Sequence, residues 1–104
     1  MTVKLVVLYT RPDDPETFDA EYRDTHIPLV AKLPGLQRWE LAPVGAKPDG
    51  SVAPYYQIAE IYFSDQAALG AAFASPEGRE TAAHYDKIAP EGSLMVVAEV
   101  TVST

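Results

Sequence analysis

The segment VKLVVLYT, Val3 to Thr10, is apolar on both of its alternating faces. Val3, Leu5, Val7 and Tyr9 fall on one side of an extended chain, and Lys4, Val6, Leu8 and Thr10 on the other. A strand of that kind has to be covered from both sides, so it belongs in the middle of a sheet. A fold for this chain must therefore supply two layers, or one layer and a partner.

The segment after this strand supplies the first layer. RPDDPET opens a helix, with Asp14 as N-cap and Pro15 at the first helical position, where a missing N–H costs nothing. Phe18, Tyr22, His26, Leu29, Val30 and Leu33 then recur at helical spacing. Pro28 cannot donate to the carbonyl of Asp24, which predicts a kink or restart near Ile27, and LPGL ends the helix. LQRWELAPV (Leu36 to Val44) reads as a strand, GAKPDGSVAP as a Gly/Pro-rich connection, and YYQIAEIYF (Tyr55 to Phe63) as a strand. Ser64 is expected to cap an alanine-rich helix, which Ser75 and Pro76 restart and which runs to about Ile88. SLMVVAEVTVS, Ser93 to Ser103, closes the chain as a fourth strand.

Strand, helix, strand, strand, helix, strand is the split βαβ order of a ferredoxin-like α+β fold with a four-stranded antiparallel sheet. Residues 1–104 form a single domain. Both helices cover one sheet face. Val6, Leu8, Met95 and Val97 are expected to leave apolar positions on the other, and a second copy of the chain is the simplest cover. The expectation is a homodimer with its sheets facing each other.

Composition removes several function classes. There is no cysteine, hence no disulfide, thiolate metal site, iron–sulfur cluster or cysteine nucleophile. MTVKLVVLYT reads as a first strand and not as a leader, and the expected location is the cytoplasm. A net charge of −7 with scattered Lys and Arg argues against nucleic acid and against anionic membranes. No glycine-rich nucleotide fingerprint is present, and two histidines far apart give no metal-ligand spacing. No cofactor and no metal are expected.

The chemistry-bearing residues lie on the first helix. His26 is on the apolar stripe and faces the sheet, with Tyr22 one turn before it. An imidazole there is either a general acid/base or a core group bonded to a backbone carbonyl freed by Pro28. In AAHYDK, Tyr85 is expected to be the buried residue and His84 partly exposed. Tyr9, Tyr22, Trp39 and Tyr85 are expected to converge on one cleft between helices and sheet. Tyr56 and Tyr62 share the opposite face with Ile58 and Glu60, and Lys4 or Arg38 is expected to neutralise Glu60.

The stretch EYRDTHIPLVAKLPGL, with Tyr22, His26, Pro28 and Leu29 spaced Y-x3-H-x-P-L and then Leu33 to Leu36, resembles the EthD family of dimeric α+β-barrel proteins. DGSVAPYYQIAEIYFSD and ALGAAFASPEG extend the likeness, which runs from about Val3 to Gly78. The resemblance implies a ferredoxin-like protomer paired through its sheets, with a cavity between helices and sheet. It also implies cofactor-independent acid/base chemistry on a small, oxygenated, largely apolar molecule, of the isomerase, dehydratase, cyclase or decarboxylase type. His26 and Tyr22 would be its catalytic residues, and the aromatic cleft between helices and sheet makes Tyr9, Trp39 and Tyr85, with His84, the expected substrate-binding ones. The alternatives are a non-catalytic carrier or accessory protein for such a molecule, and a haem protein using His26 or His84 as axial ligand.

Overall fold

The computed structural model describes all of residues 1–104. Strand β1 (Val3–Tyr9) leads to helix α1 (Pro15–Glu21), a π-helical turn (Tyr22–His26) and helix α2 (Ile27–Ala31). Strands β2 (Arg38–Pro43) and β3 (Gln57–Phe63) come next, then helices α3 (Gln66–Ala74) and α4 (Pro76–Ile88), and strand β4 (Leu94–Glu99). The sheet order is β2-β3-β1-β4 with every pairing antiparallel, which is the ferredoxin-like α+β arrangement. The doubly apolar first strand is central, as its composition requires.

Local chemistry explains the breaks. The Asp14 side chain accepts from Thr17 N–H and caps α1, with Pro15 at its first position. Asp65, and not Ser64, caps α3 by accepting from Ala68 N–H at 2.8 Å; a carboxylate one residue later meets the free amides better. Ser75 caps α4 through Gly78 N–H at 3.0 Å. Gly78 has no alternative there, because a Cβ would overlap the Ala72 carbonyl and Phe73 Cα. Residues 45–54 form a small turn closed by the Ala46–Val52 bridge.

Register decides the two faces. Val3, Leu5, Val7 and Tyr9 lie beside Phe63, Ile61, Ala59 and Gln57, all buried beneath the helices. Phe18, Tyr22, Val30, Leu33, Leu69 and Ala72 close that core from the helical side. On the open face Val6 is paired with Val96 and Leu8 with Leu94. Met95 and Val97 therefore sit on the helix side, beside Val7 and Leu5, one residue out of phase with the expectation. Leu94 and Val96 are 38% and 48% exposed in the isolated chain. Beside this apolar strip lies a charged half, in which Lys4 bonds Glu60 at 2.8 Å and Arg38 lies over the Tyr62 ring. Tyr56 does not belong to that face. It precedes β3, and its hydroxyl donates to Asp19 of α1 at 2.9 Å.

Candidate functional site

The site begins at Pro28. In an unbroken α-helix its ring would meet the carbonyl of Asp24. The chain widens instead, and Ile27 N–H donates to the carbonyl of Tyr22 five residues back before α2 restarts. The predicted restart is thus a π turn. It directs Tyr22 and His26 inward together, 3% and 4% exposed, with ring centroids 4.9 Å apart.

His26 is not held by a backbone carbonyl. Its Nδ1 lies 2.9 Å from Nδ1 of His84, and the two rings stack at 5.1 Å. His84, expected to be partly exposed, is buried, and Tyr85 beside it is the half-buried one. Helix α4 lies against the π turn, which turns His84 inward. On its far side His84 Nε2 is 2.8 Å from the carboxylate of Glu21, the last residue of α1. Sequence reasoning misses Glu21, because it is 63 positions from His84 with no local pattern to connect the two.

Burial, reinforced by the neighbouring His84, lowers the His26 pKa from 6.5 to about 4, so the imidazole is neutral at neutral pH. Burial raises Tyr22 to about 12, and Tyr9 also moves upward for the same reason, so both stay protonated. The side-chain nitrogen or oxygen that is buried without a partner is Gln57 Nε2. The unpaired Nε2 of His26 is thus not sealed in, and it opens on a cavity that His26 lines.

That cavity, of about 240 Å³, lies between the helices and strands β1, β3 and β4. Its lining is mainly apolar, from Leu5, Val7, Ile61, Leu69, Phe73 and Met95, and Tyr9, Tyr22 and Tyr85 stand beside His26. Tyr9 is the hub of the aromatics, 5.5 Å from Tyr22 and 5.7 Å from Tyr85. Trp39 packs against the core from edge strand β2 but does not line this cavity. His84 lies behind His26 and does not line it either. A separate polar cleft of about 520 Å³ opens on the outside of α1, and Glu21 is on its wall.

Fold and site together define a ferredoxin-like α+β protein whose helices and sheet enclose an apolar cavity with a buried, neutral histidine in its wall. The chain belongs to the EthD family, whose domain matches residues 11–90. It is 34% identical over 96 residues to an uncharacterised 11.0 kDa protein of Rhodococcus erythropolis, with 92% of each chain covered. An EthD family protein of Bacillus halodurans superposes with a TM-score of 0.91 at 32% identity, covering 97% of this chain and all of that one. More distant structures share the fold. A hydroxynitrile lyase of Passiflora edulis does so at 14% identity and a TM-score of 0.79, covering 99% and 96%. A dimeric ferredoxin-like protein of Jannaschia sp. CCS1 does so at 21% identity and a TM-score of 0.69, covering 96% and 100%.

Proposed function

We propose that the protein carries out cofactor-independent acid/base chemistry on a small, largely apolar molecule bearing one oxygen function. The observation that carries this is the unpaired Nε2 of neutral His26 on an apolar cavity, with the Tyr22 ring beside it in the same wall. His26 takes a proton from the substrate, and Tyr22, held in its hydroxyl form, steadies the oxygen on which charge develops. An anion forming in the cavity raises the basicity of the imidazole at the moment it is needed. Positioned groups of this type contribute roughly 10²–10⁴-fold in rate, enough for enolisation, dehydration or lactone rearrangement. At about 240 Å³ the cavity exceeds the roughly 150 Å³ that accommodates benzene, which suits one ring with a short substituent. That volume favours a single-ring molecule over a tetrapyrrole.

The protomer is half of the functional unit in this reading. The strip of Val6, Leu8, Leu94 and Val96 is apolar, half-buried at Val6 and Leu8 and exposed at Leu94 and Val96, and bounded by the Lys4–Glu60 pair, which suits pairing with a second copy through the sheet.

Single-ring ketones, enol lactones and hydroxyaromatics, screened by NMR, test the reading. A substrate-like molecule should shift the His26 and Tyr22 ring signals and exchange its α-proton for solvent deuterium, and His26→Asn should slow that exchange by about 10²-fold or more. Shifts without exchange would make the protein a carrier. No shift with any of them would remove the cavity from consideration as a site.

A further inference from the structure

The hydrogen bonds around His26 fix more than its position. A carboxylate only accepts, so at the 2.8 Å contact with Glu21 the hydrogen must reside on His84 Nε2. With His84 neutral, its one N–H is the one on Nε2, and its Nδ1 is an acceptor. The 2.9 Å contact between the two Nδ1 atoms needs a donor, and it has to come from His26. Its hydrogen therefore resides on Nδ1, and Nε2 presents a lone pair to the cavity. The order is dictated from the solvent end, two side chains away from where it matters.

We propose, resting on the acid/base reading above, that Glu21 is a positioning residue which sets His26 as a base through His84 and receives the resulting charge next to itself. When His26 Nε2 takes a proton from a molecule in the cavity, the new N–H bond forms there and the Nδ1–H of His26 passes to Nδ1 of His84. One proton enters and one crosses, so His26 stays neutral. The positive charge appears on His84, against the Glu21 carboxylate. His26 now presents N–H to the cavity and can return the proton to another atom of the same molecule. Both transfers then reverse. This removes the obstacle that burial sets at His26, because the buried ring never has to carry the charge.

The surroundings match that division of labour. Glu21 is 37% exposed and stands on the wall of the outer cleft. Arg11, Asp13, Asp14, Lys87 and Glu91 line the same cleft, so the end that holds the charge is polar and wet. His26 at the other end is 4% exposed and opens on a mainly apolar cavity. His84 is the link, 9% exposed and bonded on both nitrogens.

The test reads tautomers directly, by two-bond proton–nitrogen NMR of the ring nitrogens in the ligand-free protein at neutral pH. Wild type should show His26 protonated on Nδ1 and His84 on Nε2. In Glu21→Gln, whose amide both donates and accepts, the His26 pattern should lose its single form and become an average of the two tautomers. Glu21→Asp, which keeps the carboxylate, should retain the Nδ1–H form. His26 protonated on Nε2 in wild type would overturn the inference, as would an unchanged single tautomer in Glu21→Gln. The result is independent of whether a substrate is found. Correct tautomers with no responsive ligand would refute the functional reading and leave the tautomer order standing. Ligand-driven deuterium exchange with the wrong tautomers would do the reverse.

Discussion

Acidification should destabilise this protein through one residue, and the size of the effect is set by His26. Its folded pKa of about 4 is below the ordinary 6.5, with burial as the main cause. The unfolded chain takes up a proton at pH values where the folded one does not. His26 therefore contributes nothing adverse above about pH 6.5, and stability falls as pH drops from there to about 4. Below that both states are protonated and the loss levels off. The gap between 6.5 and about 4, at about 1.4 kcal/mol per pH unit, comes to about 3 kcal/mol. Against a typical stability of about 5–15 kcal/mol this is a large fraction. With a urea slope of about 1–2 kcal/mol/M it should move the midpoint by about 2 M. Urea unfolding monitored by Trp39 fluorescence, at constant protein concentration from pH 7 to pH 4, measures it. His26→Asn is the reference, since an amide can still donate to His84 Nδ1 but does not titrate. The stability difference between wild type and variant should change by about 3 kcal/mol over this range. Parallel curves would refute the argument and show that the ring protonates in place at no cost.

Other perturbations address separate parts of the fold. Ser75→Ala removes the cap of α4 and should cost about 1 kcal/mol by thermal or urea unfolding. Gly78→Ala should cost about 1–3 kcal/mol or more, because the added methyl meets backbone that cannot move aside; a neutral result would mean that the α3–α4 junction is loose. Val96→Glu places a charge in the apolar strip and should convert the proposed sheet-paired dimer to monomer in sedimentation velocity while the helical circular dichroism is retained. Tyr22→Phe keeps the ring packing against Tyr9 but removes the hydroxyl. It should preserve stability within about 1 kcal/mol while slowing ligand deuterium exchange about 10-fold or more.

Much of this architecture is legible in the sequence because its causes are local. Two apolar faces in VKLVVLYT require a central strand, Asp14–Pro15 and Ser75–Pro76 open helices, and Pro28 marks the break before α2. The differences have identifiable causes. Period-2 alternation carries one residue too far at Tyr56, because the strand itself starts at Gln57. In β4 the apolar residues are continuous from Leu94 to Ala98, so alternation gives no phase and only the register with β1 assigns Met95 to the cavity. Alternation puts Trp39 on the correct face, but edge strand β2 lies beyond the cavity. The Glu21–His84–His26 series is not legible at all. Its members are 58 and 63 positions apart along two different helices, and neither helix signals the other.

The π turn gives the chain a spare residue where Pro28 needs room. Between Tyr22 and His26 the backbone contains one residue more than a regular α-helical turn would use. Deleting a single residue there would let the helix close in ordinary α geometry, with Ile27 N–H still reaching the Tyr22 carbonyl, now four residues back. Five residues of a π turn and four of an α-helix both wind the chain by about 400°, so α2 would keep its facing relative to α1. What is lost is the widening, and the ring of Pro28 would press on the carbonyl four residues before it. The extra residue thus makes room for the proline, whereas a deletion in the turn of residues 45–54 touches no residue that lines the cavity.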